Sequence, residues 1–193
     1  MSNAELRSRA RQQLEGNLFG SMWLMAGVAC VIVGAISMVV GMIVPYVGSY
    51  LLLGPLSVGL AGVFLKQARD RQPMKMGDLF ISFNSDFLQY FLLGLMVNIF
   101  IALWSLLFVI PGIIKSYSYA MSYYIKADHP EYNWQMCIDE SKRIMDGHKM
   151  DLFLLQLSFI GWILLSSLTC GIGMFWVAPY MNAAQAHFYE SIK

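Results

Sequence analysis

Charge is what this sequence most lacks. Asp, Glu, Lys and Arg make up only 13% of its 193 residues, against 58% hydrophobic residues. A soluble domain carries roughly twice that share of charge. The deficit is concentrated, because residues 16–65, 87–114 and 152–189 contain no charged side chain at all. A bilayer's hydrocarbon core is about 30 Å thick and a spanning helix needs roughly 20 apolar residues. Each run is therefore read as a membrane segment, and the first and third are long enough to be hairpins. Net charge is only +1, which excludes a general nucleic-acid role. Cys30, Cys137 and Cys170 stand alone, without the CxxC spacing of a metal or redox site. GxSxG, Walker, GxGxxG and HExxH signatures are missing, so no cofactor and no enzyme activity are expected.

What remains is an ordered series of apolar segments. The expected architecture is an all-α polytopic membrane bundle, a single domain over 1–193, with six transmembrane helices arranged as three hairpins. Spans are expected at about 20–44, 49–65, 87–110, 112–126, 152–169 and 173–189. Pro45-Tyr46-Val47-Gly48, Pro111-Gly112 and Cys170-Gly171-Ile172 supply the turns within the hairpins. The first apolar segment is too long for a signal sequence and reads as a retained anchor.

Three amphipathic segments flank the spans. Over 4–19, Leu6, Ala10, Leu14 and Leu18 recur every four residues, a surface helix suited to lying along a membrane. Met76, Leu79, Phe80 and Phe83 make a shorter one. The third, 133–146, is a cytoplasmic helix capped by Asn133 and ended by Gly147, with Asp139 and Arg143 spaced to pair.

Topology follows from the basic residues. Six spans with both termini inside place all of Lys and Arg except Lys115 in the cytoplasm, 12 of 13, together with every acidic residue. This is the asymmetry of the positive-inside rule. If 112–126 did not cross, Lys126, Lys142, Arg143 and Lys149 would lie outside and the bias would nearly vanish. The segments before the first and fifth spans, ARQQLEGN and SKRIMDGH, also resemble each other, a faint internal repeat of the kind seen in transporters and in inert bundles alike.

The stretches ELRSRARQQLEGN, IPGIIKSYSYAMSYYIKADHPE, ESKRIMDGHKMDLFLLQLSFIGW and VAPYMNAAQAHFYE resemble a bacterial integral-membrane family catalogued as domain of unknown function 975. The resemblance implies a bacterial plasma-membrane location and a multi-span helical fold. It implies no activity and no functional residue.

Two groups of residues are candidate sites. Gly20, Gly27, Gly34, Gly41 and Gly48 are each seven apart, so they drift only about 20° per step and line one seam. Small residues let membrane helices approach closely. The seam serves as a dimer face or sliding gate, or as internal packing against the second span and its Gly54, Ser57, Ala61 and Gly62. Lys115, Ser118 and Ser122 of the fourth span, with Asn182 and Gln185 of the sixth, form a candidate polar cavity. The plainer account has Lys115 and Lys126 snorkelling to the two interfaces and the amides bonding between helices. His129, Glu131, His148, Asp151 and His187 lack ligand spacing, and no metal is expected.

The expected function is non-enzymatic, acting through protein partners or lipid organisation. The expected partners are membrane lipids, a membrane-protein partner or a second copy of the chain. The alternative is a small transporter or permease-like subunit for a lipid, peptide or small solute.

Overall fold

The computed structural model describes residues 3–14, 20–43, 47–70, 76–80, 83, 87–169, 171 and 173–193, with side chains except at 40–43, 47–53, 70, 76 and 107. Among the described residues all regular structure is helical. The elements are α1 (Asn3–Gln13), α2 (Ser21–Ile43), α3 (Val47–Asp70), a 3-10 turn (Met76–Phe80), α4 (Phe87–Leu107), α5 (Val109–Tyr119), α6 (Ser122–Asp128), α7 (Trp134–Ile144), α8 (Lys149–Leu157), α9 (Ile160–Leu168) and α10 (Met174–Ile192).

Two pairs of short helices are nearly continuous rods. The caps between α5 and α6, Ala120 and Met121, keep right-handed helical dihedrals, as do Ser158 and Phe159 between α8 and α9. Each rod of 20 residues (109–128 and 149–168) is about 30 Å long. Among the described residues, helices thus lie in all six expected segments. Three of them are long and apolar enough to cross a membrane: Ser21–Val39, Phe87–Leu106 and Lys149–Leu168. The expectation of six such segments is met only in that coarser form. The α5–α6 rod carries Lys115, Lys126 and Asp128, and α10 carries Asn182, Gln185, His187 and Pro179. The first turns of α3 lie among the residues whose side chains are not described.

Burial explains why these helices need less apolar surface. α3 packs on α1, α2, α4, α6, α10 and the 3-10 turn, and α10 packs on α1, α2, α3, α8 and α9. Both are interior helices. The three apolar helices are peripheral, with only 22% of each apolar window buried. A large apolar face left uncovered by its own chain needs an apolar environment.

Burial also runs along the bundle. Leu93 and Val97 of α4, Leu152, Leu155 and Phe159 of the α8–α9 rod, and Ala183, Ala186 and Phe188 of α10 are buried. At the hairpin ends the pattern reverses: Leu106, Phe108, Val109 and Ile110 are 70–85% exposed and Leu168 is 80% exposed. The packed core lies at the charged end of the molecule, where the short helices α1 and α7 cover the bundle.

Those two helices lie on their own chain. Leu6, Ala10 and Leu14 are buried, and α1 packs mainly along α10. Residues 15–19 of the expected surface helix, Leu18 included, are outside the described residues. α7 buries Cys137, Ile138, Ser141 and Ile144 against α4, α5 and α6. Its start and stop follow the sequence. Asn133 accepts a hydrogen bond from Met136 N at 2.8 Å, and Gly147 takes φ +82°. The expected Asp139–Arg143 pair is not formed; Lys142 pairs with Asp139 and Arg143 with Glu140, each at i, i+3. Of the expected shorter segment that begins at Met76, the structure describes the 3-10 turn and Phe83. Leu79 of that turn is fully buried.

The hairpin between α4 and α5 turns at Phe108, three residues before the expected Pro111-Gly112. Pro111 instead occupies the first turn of α5, where its missing N–H breaks no helical hydrogen bond. Gly112 then faces Ser105 so closely that an added Cβ would stand 2.8 Å from Ser105 Cα. The α9–α10 hairpin repeats the device: a Cβ on Gly173 would stand 2.9 Å from Ser166 Cα. In both, a glycine meets the serine seven residues before it, so two hairpins close by the same rule. Gly171 makes the second turn with φ +85°. Cys170 and the turn residues 44–46 of the first hairpin are outside the described residues.

Candidate functional site

α3, α6 and α10 all run from the hairpin end to the charged end, and their last residues meet. Arg69, in the last turn of α3, donates to both carboxylate oxygens of Asp128 at 2.5 and 2.7 Å. It also donates to Glu190 of α10 at 2.6 Å. Tyr189 donates its hydroxyl to Asp128 at 3.1 Å, and Lys193 lies 2.9 Å from Glu190 and 3.8 Å from Asp128. Asp128 ends α6, where a negative charge opposes the helix dipole. The surrounding cations and the hydroxyl offset that penalty. The Arg69 guanidinium holds the Asp128 carboxyl below its ordinary range, and Asp128 in turn raises the affinity of Arg69 for its proton. The bonds from Arg69 to Asp128 and Glu190 tie three helix ends together as a latch.

Lys126 anchors the loop beside this latch. It is 1% exposed, donates to the carbonyls of Pro130 and Tyr132 at 2.7 and 2.5 Å, and lies 4.9 Å over the Tyr90 ring. The loop it holds presents His129, which stacks on Tyr132 at 4.6 Å and pairs with Glu131 at 3.1 Å.

Among the described residues, three clefts flank α1 and the latch. One of 380 Å³ lies on the α6–α7 side of Arg69 and includes Asp128, His129, Tyr132, Glu140, Tyr189 and Lys193. One of 500 Å³ lies on the α1 side and includes Arg9, Gln12, Gln13, Gln67, Arg69, His187 and Glu190. Gln13 is 8% exposed; its amide nitrogen donates to Phe64 O and Gln67 Oε1 at 3.2 and 3.1 Å, which ties α1 to α3. The third, of 460 Å³, is lined by Ala4, Arg7, Ser8, Arg11, Gln12, Trp162 and Tyr180.

The residues singled out from the sequence lie elsewhere. Lys115 Nζ stands 4.8 Å over the Trp104 ring near the α4–α5 hairpin. Ser118 is buried and its carbonyl accepts from Ser141 of α7 at 2.8 Å. Ser122 is fully buried, with its hydroxyl unpartnered among the described residues. Asn182 donates to Ala178 O at 2.9 Å and reaches Cys30 Sγ at 3.8 Å. Gln185 accepts from Tyr124 OH at 3.4 Å. None of the five lines the three clefts.

The glycine seam is also divided. A Cβ on Gly27 would meet the Phe175 ring of α10 at 2.6 Å, and one on Gly34 would meet nothing. Gly20 precedes α2, while Gly41 and Gly48 fall where side-chain surroundings are not described. Three glycines of α3 meet other elements: Gly54 abuts the Tyr90 backbone, Gly59 the Leu79 backbone, and Gly62 approaches Ala127 Cβ at 3.5 Å. His129 and His148 pair separately, with Glu131 and with Asp151, the latter at 3.0 Å. Among the described residues no three His, Cys, Asp or Glu side chains come together as a metal site.

Sequence reading passed over Arg69, Asp128 and Glu190. The available signal was that each of the three returning spans ends in a charged residue, which only becomes a cluster if the spans end together.

No curated protein and no solved structure matches the chain. A family model described as "Protein of unknown function (DUF975)" matches residues 1–116 and 105–193, which together cover the whole chain. The chain belongs to the DUF975 family.

Proposed function

We propose that this chain is a bacterial plasma-membrane protein, a single domain that crosses the bilayer six times as three hairpins, with both termini in the cytoplasm. It acts without enzymatic chemistry, through lipid organisation or a protein partner. One observation carries the reading: apolar exposed hairpins lie opposite an end where α3, α6 and α10 join in one ion-pair latch. Three return helices that end together fit three hairpins entering from one side. In this reading Lys115 and Trp104 mark the outer interface, where cations and tryptophans are stabilised at headgroup level. Residues offered to protein partners are those of the charged end.

Topology is tested by introducing single cysteines at Ile110 and Asp139 in a chain whose own cysteines are replaced by serine or alanine. Labelling of intact cells with a membrane-impermeant maleimide is expected at 110 and not at 139. Protection of 110 in intact cells together with reactivity at 139 would reverse the reading.

A transport role keeps one supporting observation, the polar contact between Tyr124 and Gln185 inside the α6–α10 packing. It requires solute flux in reconstituted vesicles that Gln185→Leu abolishes.

A further inference from the structure

Of the three clefts, the one between α1 and α9 has the most selective lining. Arg7 and Arg11, one turn apart on the same face of α1, stand with Ser8 on one side. Trp162 of α9 and Tyr180 of α10 stand on the other, and among the described residues the lining contains no carboxylate. The other two clefts include Glu190, or Asp128 and Glu140, so their cations are balanced by the protein itself.

Depth adds to the imbalance. Tyr180 OH donates to the Arg7 carbonyl at 3.3 Å, and Arg7 donates to the Ser158 carbonyl at 3.5 Å. Ser158 is nine residues along the α8–α9 rod from Lys149, about 13 Å from the charged end. α1 therefore carries its N-terminal arginine alongside an apolar rod. A cation at such depth in a membrane is costly unless it meets an anion. Below Trp162 the same rod presents Leu164, Leu165 and Leu168, which are 57–80% exposed. A cationic mouth that continues into an apolar lane, with a tryptophan at the junction, fits an amphiphile. A free anion makes no use of the lane.

On the reading of the chain as a membrane protein, we infer that Arg7, Arg11 and Trp162 bind the phosphate headgroup of one anionic glycerophospholipid. Its acyl chains lie along α9 below Trp162. The arginines supply charge-assisted hydrogen bonds to the phosphate, and the Trp162 ring covers the glycerol.

The test uses the purified full chain in detergent micelles, with phosphatidylglycerol and phosphatidylcholine of matched acyl chains counted by native mass spectrometry. The wild type is expected to retain phosphatidylglycerol in preference. An arginine near anionic lipid contributes about fivefold in affinity, so Arg11→Gln lowers the preference by about fivefold and Arg7→Gln/Arg11→Gln by about 25-fold. Arg7→Lys/Arg11→Lys keeps most of it, and Arg143→Gln on α7 leaves it unchanged. A wild-type chain without preference overturns the inference whether or not any variant folds. So does a double Gln variant with wild-type melting and wild-type preference, and so does displacement of the lipid by millimolar inorganic phosphate. Alkaline extraction from vesicles separates the two levels of failure. A chain that resists extraction but shows no preference loses only the lipid site, whereas a chain stripped from vesicles loses the membrane reading as well.

Discussion

Arg69 and Asp128 meet fork to fork, two guanidinium nitrogens on two carboxylate oxygens, across 59 residues of sequence. Asp128 is the more enclosed partner, with 12% of its side chain exposed against 34% for Arg69. Removing one member of a charge-assisted, partly enclosed pair costs about 1.5–3 kcal/mol. The expected outcome for Arg69→Gln is a lower thermal midpoint in detergent, with Arg69→Lys recovering only part of it because an ammonium cannot grip both oxygens. Equal midpoints for wild type and Arg69→Gln would refute the latch.

The same pair sets an acid limit. Asp128 is held below its ordinary range, chiefly by the Arg69 hydrogen bonds, so the folded protein binds that proton more weakly than the unfolded chain does. The stability it supplies is complete above the unfolded value of about 3.9 and is lost as pH falls through the lowered folded value. Unfolding measured from neutral pH downward should show wild-type stability declining below about pH 4. Asp128→Asn should start lower and lack that part of the decline.

Lys126→Met tests the loop anchor. The substitution keeps an apolar stem but leaves the Pro130 and Tyr132 carbonyls without their shared donor. A cost of about 2–4 kcal/mol is expected. Hydrogen exchange should accelerate first in 128–133, and uniform acceleration over α7 and α8 would point to a different role.

Hairpin closure predicts a contrast among glycines. Gly112→Ala and Gly173→Ala force a methyl against Ser105 and Ser166, and overpacking of this kind costs about 1–3 kcal/mol. Gly34→Ala meets open space and, within a helix, is expected to stabilise by up to about 1 kcal/mol. Thermal midpoints of the three variants check the order.

Cys137 is fully buried in α7, and burial pushes its thiol up to about 11. Its maleimide reaction at neutral pH should be about two orders of magnitude slower in the folded protein than in denaturant. Fast labelling of the native chain would show that α7 does not stay docked.

Several features were readable from local sequence because their causes are local. Long charge-free runs require helices in an apolar medium, Asn133 caps α7 with its own side chain, and Gly147 takes a backbone angle that suits glycine. Where local rules competed, sequence reasoning slipped. Pro111 looked like a turn but is tolerated in a helix's first turn, and Asp139 lost Arg143 to Glu140 one residue nearer.

Only tertiary structure decided the rest. An amphipathic stripe such as Leu6, Ala10 and Leu14 shows that a face must be covered; whether lipid or protein covers it depends on α10 and α3 arriving beside it. The seven-residue glycine spacing marks a seam but cannot name its partner, and Gly27 met Phe175 of α10 while Gly34 met nothing. Arg69, Asp128 and Glu190 are separated by 59 and 62 positions, and nothing periodic links them. Their pairing exists because three return helices end at one level, a fact of packing that no single segment contains.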